Sequence, residues 1–266
     1  MAFLRDERSR SVTRACRLLQ LARSTFDYIP IPRPQDEILR ARLKELAGRY
    51  KRWGLPRLHS LLRKDGTVKN RKRTERIYMQ EKLQIKRRKR KKLTRLPRVA
   101  RPVLTAPDQA WSMDFVHDWL LTKRKLKTLT IVDDFTKESI GIFLGHSISG
   151  DAVARFLSGL PRQPRLLRSD NGPEFNSNAF RNWIDTTSIE HEFITPGKPN
   201  ENAFIESFNS RFRDECLNEH VFRSLEDASR KIEEWRKIYN EIHPHSSLGM
   251  ISPKEFADNW KAMVHA

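Results

Sequence analysis

From residue 111 onward the chain lays out its elements in an order that few folds accommodate. Three runs read as strands, 111–117, 127–133 and 139–145, and the short connections between them leave room only for two antiparallel hairpins. The pattern then alternates. Ser149 heads an amphipathic run that reads as a capped helix, Arg165 to Ser169 as a buried strand, Asn178 to Thr186 as a second helix, and Glu190 to Ile194 as a fifth strand. Strands separated by helices enter a sheet in parallel, so the expected fold class is α/β, a mixed five-stranded sheet with helices on its faces. A helix from Ser224 to Asn240, with Leu225, Ala228, Ile232, Trp235 and Tyr239 on one face, is expected only to pack against that core.

Three acidic residues stand out against this framework. Asp114 lies in the strand-like run Trp111-Ser-Met-Asp-Phe-Val, Asp170 closes Leu166-Leu-Arg-Ser-Asp-Asn-Gly, and Glu206 sits in Asn202-Ala-Phe-Ile-Glu-Ser-Phe-Asn on the following long helix. Carboxylates from two strands and one helix, brought together, form the oxygen-donor set that Mg²⁺ prefers, and two such ions act on phosphodiesters. An Asp ending a strand is more often a turn former, and a helix Glu more often a solvated residue. Among the competing acids, Glu201 is the nearest rival to Glu206. Asp133 and Asp134 are expected to hydrogen-bond near Thr136, and Asp118 and Glu174 lie close in sequence to the candidate acids. Asn171 and Gly172 are expected to shape the loop after Asp170.

Several ordered blocks carry a resemblance. They are Trp-Ser-Met-Asp-Phe-Val at 111–116, Val-Asp-Asp-Phe-Thr at 132–136, Ser-Asp-Asn-Gly-Pro-Glu-Phe at 169–175, Pro-Gly-Lys-Pro-Asn-Glu-Asn-Ala-Phe-Ile-Glu-Ser-Phe-Asn at 196–209, and Tyr-Asn-Glu-Ile-His-Pro-His-Ser-Ser-Leu-Gly at 239–249. The stretch from Asp108 to Phe256 resembles the catalytic (OrfB) subunit of insertion-sequence transposases of the insertion-sequence-three family, whose core is similar to retroviral integrases. The resemblance implies a ribonuclease-H-like fold in which the first strand lies beside the fourth. It implies that Asp114, Asp170 and Glu206 are catalytic ligands of two Mg²⁺ ions, with Mn²⁺ able to substitute. The product would be DNA cleavage and strand transfer. Arg213 matches a family position that contacts DNA, and Lys198 lies in the matched loop before Glu206. An upstream OrfA product, as fusion or partner, and a homo-oligomer assembled on double-stranded DNA are further implications. His243 stands where the family shows Arg, Met250 where it shows an aromatic, and the likeness is weaker near Gly54–Arg57 and Thr74–Glu75.

Charge divides the chain independently of any likeness. Residues 1–105 hold 32 Lys and Arg against 9 Asp and Glu, +23, and the remainder 20 against 24, −4. So basic an arm releases counterions from phosphate and binds nucleic acid in a salt-dependent way. Residues 1–85 read as a helix-turn-helix-type DNA-binding region. Val12, Ala15, Cys16 and Leu19 precede a break at Gln20-Leu21-Ala22, and Leu39, Leu43 and Leu46 mark a helix from Ile38 to Tyr50. Pro56 opens the next helix, Asp65-Gly66 stops it, and Asn70 caps a helix over 71–82 that brings Arg71, Lys72, Arg73 and Arg76 toward DNA. Residues 86–107 read as a basic, proline-containing linker whose run Lys86, Arg87, Arg88, Lys89, Arg90, Lys91, Lys92 tracks the DNA backbone. The integrase-like core then occupies 108–258, with a helical tail to 266.

No apolar run is long enough to cross a bilayer and no apolar signal core opens the chain, so a bacterial cytoplasmic location without a membrane partner is expected. Cys16 and Cys216 fit no metal-ligand spacing and are expected to be free thiols; the eight His form no zinc cluster. Two rival readings remain. One is a catalytically silent DNA-binding regulator of transposition, the other a nuclease acting on RNA–DNA hybrids.

Overall fold

The structure, a computed structural model, describes residues 12–28, 34–85, 103–194 and 203–264. The basic run from Lys86 to Lys92 and the Pro196–Pro199 loop with Lys198 lie outside the described residues.

The N-terminal part is all helical. Helix α1 (Val12–Leu18) buries Ala15 and Cys16, Gln20 turns the chain at φ 51°, and α2 (Arg23–Phe26) is a single turn. A seven-residue helix followed by a single turn thus stands where the helix-turn-helix outline was expected. Helix α3 (Pro34–Arg49) starts four residues earlier than its apolar pattern suggests. Pro34 fits a first helical position, and Asp36 and Glu37 favour the positive end of the helix. Helix α4 (Leu55–Lys64) carries Pro56 in its first turn, and Gly66 beyond it takes a positive φ of 72° that favours glycine. Helix α5 (Arg71–Gln80) is capped by Asn70, whose side chain accepts from the Lys72 amide at 2.9 Å. It ends two residues short of the expected boundary, with Lys82 in the left-handed region. Leu39, Leu43, Leu58, Leu62 and Ile77 are fully buried where these three helices meet.

The second part is the sheet. Strands β1 (Ala110–Trp119), β2 (Lys125–Asp133), β3 (Ser139–Gly145), β4 (Leu166–Ser169) and β5 (Glu190–Phe193) lie in the order β3-β2-β1-β4-β5. β1 is antiparallel to β2 and parallel to β4. This is the ribonuclease-H-like order expected from the sequence. Helices α6 (Gly150–Ser158), capped by Ser149, and α7 (Asn178–Asp185) cover one face around Trp111, Met113, Leu129, Ile131 and Phe175. Helices α8 (Ala203–Glu215) and α9 (Leu225–Glu241) cover the other with Phe208, Phe212, Trp235 and Tyr239. Burying side chains of this size stabilises by roughly 1.5–3 kcal/mol each, which makes these layers the main support of the sheet. α9 also completes the backbone at the start of the edge strand. Asn240 Oδ1 accepts from the Ser139 amide at 2.8 Å, and Arg236 Nη1 donates to the Ser139 carbonyl at 2.8 Å. Helix α10 (Pro253–Val264) closes the chain, setting Phe256 and Trp260 against Phe135.

One close approach ties α6 to the loop that follows β4. A Cβ on Gly150 would come 1.8 Å from Ser177 Oγ and 2.5 Å from the Glu174 carbonyl oxygen. Gly150→Ala should therefore force the 170–177 segment away and destabilise by about 1–3 kcal/mol. Thermal denaturation should show a melting point several degrees lower; an unchanged one would show that the contact yields freely.

Candidate active site

The β1–β4 ladder sets the geometry. Ala110, Trp111 and Ser112 pair with Leu166, Leu167 and Arg168, and two residues further along the same parallel register stand Asp114 and Asp170. Asp114 faces α8 on the side of the sheet it shares with Val116, because side chains alternate and Met113 and Phe115 point to α6 and α7. Its Oδ1 accepts from the Phe115 amide at 2.8 Å and its Oδ2 from Asn209 Nδ2 at 2.8 Å. Asn209 Oδ1 in turn accepts from the Thr130 hydroxyl at 2.8 Å. A strand residue, its cross-strand partner and a helix residue thus fix one carboxylate.

Burial pushes the Asp114 carboxyl up to about 6, and the negative charges of Asp170 and Glu206 add to the shift. The Phe115 amide and Asn209 act in the opposite direction and are outweighed. Asp170 is exposed at the end of β4, with Oδ1 accepting from the Gly172 amide at 3.1 Å. Glu206 is exposed in the first turn of α8, while Ile205 and Phe208 on either side are buried. Asp170 and Glu206 therefore both act on Asp114. Their side chains do not close into a cage: among the described residues no three His, Cys, Asp or Glu are gathered tightly enough to hold a metal ion. The donor chemistry nonetheless suits a hard divalent cation, since all three donors are carboxylate oxygens and two of the three groups are exposed.

The loop after Asp170 is held firmly. Asn171 Nδ2 donates to the Ile194 carbonyl at 3.1 Å, and Asn176 Nδ2 donates to the carbonyls of Asn171 at 3.0 Å and Gly172 at 3.2 Å. Glu174 pairs with Lys127, and Phe175 stacks on Phe115 with ring centroids 5.1 Å apart. Beneath the site, Arg168 Nη1 and the Ser112 hydroxyl both donate to Asp134 Oδ2, at 3.2 and 2.9 Å. Asp133 Oδ1 accepts from the amides of Phe135 and Thr136, as expected of a turn former.

The basic candidates divide. Arg71 and Lys72 are exposed at the start of α5. Arg73 Nε and Arg76 Nη2 instead donate to the two oxygens of Asp36 at 2.7 and 2.6 Å, tying α5 to α3, although Arg76 stays 47% exposed. Arg213 Nη2 reaches the His117 carbonyl at 3.3 Å and is exposed. Lys198, Lys86, Arg87, Arg88, Lys89 and Arg90 lie outside the described residues.

Sequence reasoning missed Asn209, although a residue three positions after Glu206 shares its helix side. It also missed Asp36 and Glu215, whose partners are distant in sequence.

The chain matches two models described as integrase core domain, over residues 105–199 and 187–253. It is 47% identical to the 39.2 kDa protein of insertion element IS476 from Xanthomonas euvesicatoria, over 94% of this chain and 73% of that protein. It is 44% identical to the 31.7 kDa protein of insertion element IS407 from Burkholderia multivorans, over 100% and 97%. The transposase for insertion sequence element IS904 of Lactococcus lactis is 26% identical over 84% of this chain and 94% of that protein. A chain in the structure of the simian T-cell lymphotropic virus intasome aligns with a TM-score of 0.52 at 14% identity, covering 81% of this chain and 74% of that one, a likeness of fold.

The raised Asp114 pKa has a consequence for stability. Its value is about 6 in the folded protein against 3.8 ordinarily, so ionising Asp114 costs more when folded, and stability is lost as pH rises from about 4 through 6. Asp114→Asn removes that cost, because the amide of Asn209 can turn to preserve the hydrogen bond. Without divalent cations the variant should be more stable than the wild type by about 1–3 kcal/mol at pH 7 to 8, and equal to it below pH 4. Urea unfolding at both pH values measures the difference; a gain independent of pH would assign it to another cause.

Proposed function

This chain belongs to the insertion-element transposases built on an integrase core domain, and from that premise we propose that it carries out metal-dependent DNA cleavage and strand transfer through Asp114, Asp170 and Glu206. Proteins of this family act on DNA in transposition and integration. The observation that carries the proposal is geometric: the β1–β4 register sets Asp114 and Asp170 at matching positions two residues beyond Ser112 and Arg168, and Asn209, three residues after Glu206 on α8, donates to the Asp114 carboxylate. Carboxylates brought to one region repel one another, and a bound cation relieves that repulsion.

Asp114, Asp170 and Glu206 would hold two Mg²⁺ ions, or Mn²⁺ in their place. Such ions would supply Lewis acidity toward an attacking oxygen and charge stabilisation for the leaving one, the chemistry that phosphodiester cleavage by water and joining by a freed 3′-hydroxyl both require. Asn209 orients Asp114 through one oxygen and the Phe115 amide through the other. Asp170 is presented by a loop fixed at Asn171, Gly172 and Asn176. Arg213 and Lys198 would meet DNA beside the carboxylates. Residues 1–85 would bind the duplex through cations such as Arg71 and Lys72, the basic segment 86–107 would follow the backbone between the two parts, and 108–258 would supply the chemistry. Double-stranded element ends and target DNA are the substrates, with an OrfA product as fusion or partner, and a homo-oligomer on DNA in the bacterial cytoplasm as the working form. Among the described residues no helix is long and apolar enough to cross a membrane.

Substitution of the three acids tests this reading. Asp114→Asn, Asp170→Asn and Glu206→Gln, each made in the complete enzyme, keep shape but lose the charge that attracts cations. Each should abolish strand transfer in Mg²⁺ or Mn²⁺ while binding to end DNA stays close to wild type. Substantial joining by any one of them would remove that residue from the site, and absence of joining by the wild type in either metal would favour a regulator with no chemistry of its own.

A further inference from the structure

The helical N-terminal part does not merely lie beside the sheet. Its contacts converge on the far end of the helix that bears Glu206. Glu215 closes α8, and its carboxylate receives three side chains. Arg57 Nη1 donates to Oε1 at 2.7 Å, Trp53 Nε1 donates to Oε2 at 3.2 Å, and His243 Nε2 lies 3.2 Å from Oε1. Two of these partners come from the N-terminal part and one from the segment after α9. The Glu215 side chain is 7% exposed and that of His243 1%. Next to this hub Arg52 pairs with Asp214. Further along, the Ser60 hydroxyl donates to the Met250 carbonyl at 2.8 Å and Lys64 pairs with Glu255 at 2.7 Å. Ile238 and Ile242 of the C-terminal part pack against the cluster that contains Trp53 and Leu58.

A buried carboxylate with directional partners fixes a helix in a way that apolar contact does not. Ile205, Phe208 and Phe212 hold α8 against the sheet by apolar contact, which is non-directional. Hydrogen bonds from Arg and Trp to a buried carboxylate lose most of their strength when bent or stretched. Glu206 and Glu215 are nine residues apart on one straight helix, about 13 Å along its axis. A tilt of roughly 5° about the hub would move Glu206 by about 1 Å, and displacement of that size at a reacting centre costs on the order of 100-fold in rate.

We propose that Trp53 and Arg57 are positioning residues for the reaction: through Glu215 the N-terminal helical part sets where Glu206 stands relative to Asp114 and Asp170. The N-terminal part is then a structural component of the site as well as a binder of DNA. The catalytic half of this inference rests on the function proposed above, whereas the clamping of α8 stands apart from it.

The test uses the full-length chain in two measurements. Amide hydrogen exchange without DNA or metal compares wild type with Arg57→Gln, and with Trp53→Phe, which deletes one donor and keeps the packing. Exchange within 203–215 should quicken by about tenfold in each variant while amides of β1 and β2 keep their protection. Strand transfer in the complete enzyme should fall by about tenfold or more with end-DNA binding intact, and Arg57→Lys, which restores a cation, should recover part of the loss. If Arg57→Gln does not fold, Trp53→Phe alone decides both measurements. Unchanged exchange in α8, or a uniform loss of protection over the whole sheet, would overturn the clamp. Quickened exchange with undiminished transfer would overturn the positioning role. Asp114→Asn run alongside separates the two readings, since full activity in that variant refutes the proposed site whatever the exchange shows.

Discussion

Three residue pairs between β1 and β4 carry the organisation of the core. Parallel pairing of Ala110–Ser112 with Leu166–Arg168 makes β1 the central strand, with β2 hydrogen-bonded on its other edge. Parallel neighbours require a crossover, and the chain supplies it through β2, β3 and α6, which covers the face opposite α8. The same pairing brings the end of β4 alongside the middle of β1, which is why an acid at 170 comes to face the region of an acid at 114. A one-residue slip would turn Asp114 into the packed layer of Met113 and Phe115, where its charge has no partner. Hydrophobic alternation on both faces therefore protects the position of a residue that is itself costly to bury.

Buried charge recurs, and in each case polar partners are supplied from other elements. Asp134 is fully buried between β1 and β4 and accepts from Ser112 and Arg168. Asp36 accepts from two arginines on another helix, and Arg76 and Arg73 hold its carboxyl below the usual range. Glu215 is kept below the ordinary range in spite of its burial, with His243, Arg57 and Trp53 acting together against desolvation. Asp114 is the contrast. It has one amide, one Asn and two like charges nearby, and its carboxyl rises. A structural acid and a candidate metal ligand are thus told apart by the balance of their surroundings, a distinction that sequence position alone does not make.

Much of the fold was legible because it is written locally. The alternation in 111–117, the caps at Ser149 and Asn70 and the stop at Asp65-Gly66 each act within a few residues, and each element formed close to its expected bounds. Helix α3 began early because Pro34 and the acids of its first turn extend it beyond the apolar stripe that betrayed it. The acids at 114, 170 and 206 were singled out through ordered motifs, and Asp133 through its turn. What stayed hidden depends on contacts across long separations. Arg73 and Arg76 read as a DNA-facing pair until Asp36, 37 and 40 residues away, occupies them. Glu215 reads as an unremarkable helix end because Trp53 and Arg57 arrive from more than 150 residues upstream.

The hub at Glu215 also gives a physical reason for one departure from the resembled pattern, in which position 243 is Arg. Here Arg57 already supplies the permanent cation, and burial disfavours even its charge. A second guanidinium at 243, in a pocket with one carboxylate, would leave positive charge uncompensated in a nearly dry environment, a cost of several kcal/mol. Histidine avoids it. Burial pushes the pKa of His243 down, outweighing the attraction of Glu215, which favours the neutral ring, and a neutral ring can still offer one N–H to the carboxylate. Its flat ring also fits edge-on against Trp53, with centroids 4.9 Å apart, and lies against Tyr239 and His245. Residues 57 and 243 thus meet on one carboxylate, across the contact between the two halves of the molecule.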